Sequence, residues 1–179
     1  MELNDQSLID RVLANGDQHA FSQLVKRYQS QLRYSLRQLT GWDEALADDL
    51  AQETFIKVYR SLHTYQGNAK FFTWIYRIAY NTFATHCRSR KPEVPLDEGH
   101  LAGLGFNPHA SEDLHRDLAR ALKTFPPEQR MALHLSLQRE LSHGEIASIM
   151  DCPLGTVKSY ISRGQERLKL LMVGWNSGE

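Results

Sequence analysis

The sequence predicts an all-α protein built as two small helical domains joined by a linker. Three observations predict it. Apolar residues recur at helical spacing along most of the chain, and no segment alternates at the strand period. Residues 92–111, PEVPLDEGHLAGLGFNPHAS, are rich in Pro and Gly and carry no helical period. That stretch is too long for a loop inside a packed domain. It divides the chain into residues 1–91 and 112–175.

In the first half, Leu8, Ile9, Val12 and Leu13 form a short apolar stripe. Asp17 is placed to cap a second helix, whose stripe is Phe21, Leu24, Val25, Tyr28, Leu32, Leu36 and Leu39, with Gly41 as its stop. A third helix is expected from about Glu44 to Leu62, with Ala47, Leu50, Ala51, Thr54, Val58 and Leu62 inward. The loop HTYQGNAK leads to a fourth, from about Phe71 to Arg88, with a core stripe of Phe72, Ile75, Tyr76, Ala79, Tyr80 and Phe83. In the second half a helix is expected near 112–124, and another starts at Pro126-Pro127, where proline suits the first turn.

The last two helices form a helix-turn-helix. Ser142 and Glu145 have the spacing of a capping box and open a short helix whose apolar face is Ile146, Ile149 and Met150. Asp151-Cys152-Pro153 breaks it. A longer helix follows, with Val157, Ile161, Leu168 and Leu171 inward. Lys158, Ser159, Ser162, Arg163 and Arg167 then face outward, where a recognition helix meets bases and phosphates in the major groove. The plain alternative is a solvated helix face.

The chain has 179 residues and no net charge, which seems to argue against a nucleic-acid partner. The charges, however, are sorted into blocks. Five acids and no Lys or Arg lie between Asp43 and Glu53. Seven bases and no acid lie between Thr54 and Pro92. Screening confines each block to partners within about 10 Å, so one acidic and one basic face act separately.

On the fourth helix Trp74 lies off the core stripe, on a face with Arg77, Asn81 and Arg88. Two readings stand. The ring packs on a neighbouring helix, or it stacks on an unpaired base beside phosphate-binding groups. Arg88, Arg90 and Lys91 would extend the basic track. The preceding loop, with Tyr65, Gln66, Gly67 and Asn68, is either a base-holding loop or an ordinary turn.

Several function classes fall away. The sequence has no P-loop, G-x-S-x-G or H-E-x-x-H, and it calls for no cofactor and no metal. His100, His109 and His115 cluster near the linker without ligand spacing. Cys87 and Cys152 build no disulfide framework; ordinary half-buried thiols or a redox switch both remain open. No apolar run approaches the roughly 20 residues of a membrane span, and the N-terminus lacks signal-peptide features, so a cytoplasmic location is expected.

The segment LSHGEIASIMDCPLGTVKSYISRGQERL resembles region 4 of bacterial sigma factors of the extracytoplasmic-function (ECF) group, down to the run IAxIMxCPxGTVKS. Asp49-Leu50-Ala51-Gln52-Glu53 with Phe55 and Tyr59, then FFTWIYRIAYNT, is similar to region 2 of the same group, and GDQHAFSQLVKRY at 16–28 to its opening helix. Three motifs in order cover nearly the whole chain.

The resemblance implies a chain that binds core RNA polymerase, at the beta-prime clamp helices and the beta flap, and directs it to promoter DNA. Asp48, Asp49, Gln52, Glu53, Phe55 and Tyr59 would meet polymerase, although the helix dipole alone also favours acids there. Tyr65, Asn68, Lys70, Phe71, Trp74, Arg77, Asn81, Arg88, Arg90 and Lys91 would open and hold the minus-10 element. Thr156, Lys158, Ser159, Tyr160, Ser162, Arg163 and Arg167 would read the minus-35 duplex. Primary sigma factors have two adjacent Trp where this chain has Trp74-Ile75, which implies weaker melting and stricter promoter choice. Tyr160 stands where relatives often have Arg, Ser162 where they often have an aromatic residue or Arg, and His143-Gly144 replaces a bulkier pair. Members of the group are commonly held inactive by an anti-sigma factor, often membrane-tethered. Two rivals are a stand-alone dimeric regulator and a mimic that sequesters an anti-sigma factor. The first lacks a sensor domain here, and the second has no need of Lys70, Arg77, Arg88, Lys158 and Arg163.

Overall fold

Side-chain caps start the first three helices. In α1 (Asp5–Asn15) the Asn4 carboxamide accepts from the amide of Ser7 at 2.8 Å, and Gly16 closes the helix in the left-handed region at φ 62°. In α2 (Gln18–Leu39) Asp17 accepts from the amide of Ala20 at 3.0 Å, and in α3 (Glu44–Ser61) Asp43 accepts from that of Leu46 at 3.0 Å. Each such cap contributes about 1 kcal/mol. The Ala20 amide and the Arg11 guanidinium hold the Asp17 carboxyl below its usual range. Gly41 takes φ 68° just past α2, as expected of a stop residue. A 3₁₀ turn, Leu62–Thr64, and a short loop lead to α4 (Phe71–Ser89).

The structure, a computed structural model, describes residues 4–89 and 122–176, with side chains as far as Leu170. The linker at 92–111 and most of the helix expected near 112–124 lie outside the described residues. In the second half, Pro127 sits in the first turn of α5 (Pro127–Leu133), and a π-helical turn, His134–Gln138, continues it. The capping box of Ser142 and Glu145 opens α6 (His143–Met150). Asp151, left-handed at φ 52°, ends α6, and α7 (Leu154–Asn176) follows. No strand occurs among the described residues.

One continuous apolar core runs through both halves. Leu8, Leu24, Leu36, Leu50 and Val58 join it from the first half, and Met131, Leu135, Ile146, Ile149, Val157 and Ile161 from the second. The central element is α4. Its burial is far wider than one stripe: Phe71, Thr73, Ile75, Tyr76, Ala79, Tyr80, Thr82, Phe83 and Ala84 are all buried. The extra faces are covered because α4 packs against α3 and α2 on one side and α5 and α6 on the other. Tyr76 anchors it to α2, with its hydroxyl 2.9 Å from Ser35 Oγ and donating to the Gln31 carbonyl at 3.2 Å. Within the second half α5 and α7 approach closely at Gly164, where a Cβ would stand 2.6 Å from Leu133 Cδ1. Leu13, expected in the first core stripe, is instead 47% exposed, because it lies past the face of α1 that meets α2.

Candidate polymerase and promoter interface

Helices α2 and α3 pack side by side and leave an open groove of about 980 Å³ between them. Phe21, Val25, Phe55, Ile56 and Tyr59 give it an apolar lining, and Arg33, Asp48, Asp49 and Gln52 a polar end. Phe21 and Tyr59 meet edge to face at 4.9 Å. Ile56 and Tyr59 are 44% and 43% exposed, a costly arrangement for a monomer surface unless a partner covers it. Asp49 and Gln52 are exposed beside them. Two of the expected acids have partners within the chain. Asp48 accepts a bidentate pair from Arg33 at 2.8 and 2.7 Å, which holds its carboxyl below the usual range. Glu53 pairs with Lys57 one turn on, at 2.7 Å. The groove adds Phe21, Val25 and Ile56 to the site. The first two share the apolar stripe of α2, which by itself marks them only as core. The adjacent apolar pair Phe55-Ile56, off the α3 stripe, was the available signal for the third.

The side chains expected at the minus-10 element gather at the start of α4 and the loop before it. Tyr65, Phe71 and Trp74 form a ring cluster: Phe71 and Trp74 stack at 5.6 Å, and Tyr65 lies 5.2 Å from Phe71 and 5.4 Å from Trp74. Tyr28 of α2 meets Phe71 edge to face at 5.7 Å. Phe71 is therefore a correction to the sequence reading. At 3% exposure it is the buried base of the cluster, unable to touch a nucleic acid directly. Trp74 is half-buried and stacks on Phe71 of its own helix, not on a neighbouring one. The loop is preformed. The Tyr65 hydroxyl donates to the Ala69 carbonyl at 2.7 Å, Asn68 Nδ2 donates to Gln66 Oε1 at 3.1 Å, and Gly67 takes φ 72°. Asn68, Lys70, Arg77, Asn81 and Arg88 are exposed. Arg90 and Lys91 lie outside the described residues.

On α7, Lys158, Ser162 and Arg163 are exposed, whereas Thr156 and Ser159 are half-buried. Two of the residues expected at the minus-35 duplex make contacts within the chain. Tyr160 packs against the core. It sits with Cys152 and Glu128 beside Tyr80 of α4, whose phenol is pushed up to about 12, mainly by burial. Arg167 is exposed, but its guanidinium lies over the Phe125 ring at 4.7 Å. Cys87 and Cys152 are half-buried thiols, not joined to each other. Among the described residues no group of three or more His, Cys, Asp or Glu side chains is arranged to hold a metal, and no helix is long and apolar enough to cross a membrane. His100, His109 and His115 lie outside the described residues.

A four-helix unit with an acid-ended apolar groove and an aromatic, basic last helix, followed by a helix-turn-helix, has the make-up of a sigma factor. The family models agree: Sigma-70 region 2 matches residues 24–93, and Sigma-70, region 4 matches residues 115–168. The chain is 38% identical to the ECF RNA polymerase sigma-E factors of Salmonella typhimurium and Escherichia coli K12, over 93% of this chain and 93% of each relative. It is 34% identical to that of Haemophilus influenzae, over 94% and 95%. Among solved structures it resembles the sigma factor RpoE of Bartonella quintana, in complex with the anti-sigma factor NepR (TM-score 0.66, 28% identity, 85% of this chain and 96% of that one). It shares its fold with CnrH, solved with the cytosolic domain of CnrY (TM-score 0.69, 24% identity, 94% and 96%). The chain belongs to the sigma-70 family, in its ECF group: it is an alternative sigma factor that directs promoter-specific transcription, a DNA-binding initiation factor and not an enzyme.

Proposed function

We propose a division of labour among the surfaces just described. The α2–α3 groove docks core RNA polymerase at the beta-prime clamp helices, with Asp48, Asp49, Gln52, Glu53, Phe55 and Tyr59 joined by Phe21, Val25 and Ile56. Loop residues Tyr65 and Asn68, with Lys70, Trp74, Arg77, Asn81 and Arg88, hold the opened minus-10 strand, and Arg90 and Lys91 continue along the backbone. The N-terminal half of α7 enters the minus-35 major groove with Thr156, Lys158, Ser159, Ser162 and Arg163, while the second half of the chain meets the beta flap. Tyr160 and Arg167 support α7 from behind.

The observation that carries the docking assignment is the groove itself, with large apolar side chains more than two-fifths exposed beside unpaired Asp49. We further take residues 1–91 and 112–175 as the two domains, one for each promoter element, with 92–111 as the linker. The protein works in the cytoplasm, where polymerase is. The solved complex of the Bartonella relative with NepR supports an anti-sigma partner for this chain too.

Substituting Ile56→Asp tests the docking. Ile56 is exposed, so thermal stability stays within about 0.5 kcal/mol of the parent. Affinity for core polymerase, read by titration of labelled chain, falls at least about tenfold. Unchanged affinity removes the groove from the docking surface.

A further inference from the structure

The ring cluster at the start of α4 is braced from the first helix of the chain. Asp5 opens α1, where the helix dipole alone favours an acid. Its carboxylate, however, is turned across to α2, and both oxygens are engaged there. Oδ1 accepts from Arg27 Nη1 at 2.5 Å, and Oδ2 accepts from the Tyr28 hydroxyl. Burial, and then the neighbouring Asp5 charge, pushes the Tyr28 phenol above its usual range, so the phenol remains a donor. The Tyr28 ring meets Phe71 edge to face, and Phe71 stacks on Trp74. A line of contacts therefore runs from α1 through α2 to the rings of α4.

Each link constrains the next. Arg27 holds the carboxylate, and a hydrogen bond to a charged acceptor is about twice as strong as a neutral one. Tyr28 is half-buried, fixed at its tip by Asp5 and along its ring by Phe71. The planes of Phe71 and Trp74 differ by 20°, so a tilt of the buried ring carries over to the outer one. On the loop side the cluster has its own anchor, the bond from the Tyr65 hydroxyl to the Ala69 carbonyl. Asp5 supplies the anchor on the helix side. A stacking platform binds a base best when its plane is set before the base arrives.

We infer that Asp5 is a positioning residue for the minus-10 site: through Tyr28 and Phe71 it sets the plane on which Trp74 receives the opened strand, without touching DNA itself. The inference rests on the assignment of Trp74 to that strand. Neither Asp5, Arg27 nor Tyr28 lines the polymerase groove, so promoter opening and polymerase docking respond separately to changes at Asp5.

The test uses holoenzyme assembled from core polymerase and the full chain as parent, D5A, Y28F, W74A or D5A/W74A. Affinity for core polymerase is read by titration of labelled chain. Opening is read as the rate at which minus-10 thymines of a promoter fragment become reactive to permanganate. D5A slows opening about three- to tenfold, while polymerase affinity stays within about twofold of the parent. Y28F removes only the hydroxyl, leaves α1 intact and slows opening to the same extent. In D5A/W74A opening is no slower than in W74A, because no platform is left to position. Parent-level opening in D5A or in Y28F overturns the inference. So does a further slowing of W74A by D5A, or a fall in affinity that matches the fall in opening, which is what a loss of fold alone produces. W74A that opens DNA as fast as the parent overturns the assignment of Trp74, and the positioning role with it. Slow W74A beside parent-level D5A overturns the positioning role alone.

Discussion

Arg130, in the second half of the chain, donates from Nη1 to the carbonyl of Leu39, the last residue of α2, at 2.6 Å. Its Nη2 donates to the carbonyls of Lys123 and Phe125 at 2.9 and 3.0 Å, and its guanidinium lies over the Phe83 ring at 5.4 Å. Helix α2 ends with unsatisfied carbonyls, as every helix does, and a buried cation from the other unit satisfies one of them. Burial draws the Arg130 pKa down, but three carbonyls and a ring face hold the charge, and among the described residues no carboxylate is paired to it.

Arg130→Met keeps the bulk and removes the donors. Three carbonyls then lose a charged partner, two of them in buried positions. The expected loss is about 3 kcal/mol in chemical denaturation. One of the three bonds crosses between the halves, which also share an apolar core and the Arg77–Asp151 and Lys70–Glu145 ion pairs, so the variant should still unfold in a single transition.

His134 predicts a pH dependence. The ring is fully buried, with Nδ1 donating to Gln138 Oε1 at 2.8 Å and Nε2 without a partner in the structure. Burial lowers its pKa to about 4 from 6.5; the nearby Arg139 adds to the lowering, while Gln138 opposes it. The folded state therefore resists a proton that the unfolded chain accepts. Above the unfolded pKa both states are neutral and stability is unaffected. As pH falls from about 6.5 toward 4, stability declines by up to about 1.4 kcal/mol per pH unit. Denaturation midpoints at pH 7.5, 6 and 5 measure this. In His134→Leu the decline over that window should shrink, by most of what His134 contributes; an identical pH profile assigns the acid sensitivity elsewhere.

Phe71 and Trp74 separate core from contact. Phe71→Ala opens a cavity under Tyr28, Tyr65 and Trp74 and should cost about 3–5 kcal/mol of stability. Trp74→Phe keeps the stack on Phe71 and should lower stability by no more than about 1 kcal/mol. Under the proposed function Trp74→Phe still slows promoter opening, measured by permanganate reactivity of minus-10 thymines, while polymerase binding is unchanged. Equal opening in Trp74→Phe and the parent confines Trp74 to a packing role.

These residues show how far the sequence can be read. The starts of α2 and α6 were legible because their caps are local: Asp17 and Ser142 each act on a neighbour within three residues. The core stripes of α3 and α6 were legible because each helix has one buried face. Helix α4 was not, since it is buried on several sides at once and periodicity describes only one of them. Phe71 is a contact only by what the resemblance implies; its contact with Tyr28, more than forty positions earlier, is a relation no local pattern carries. The same holds for Asp48, claimed by Arg33 of α2, and for Asp151, claimed by Arg77 of α4.

The central claim is that this chain is a promoter-selecting partner of RNA polymerase. Purified chain is mixed with core polymerase and a library of promoter fragments, and initiated transcripts are sequenced. Transcripts are expected to start downstream of a shared pair of spaced elements and to vanish when the chain is omitted. Absence of transcripts, together with tight binding of the chain alone to a palindromic duplex, would contradict it.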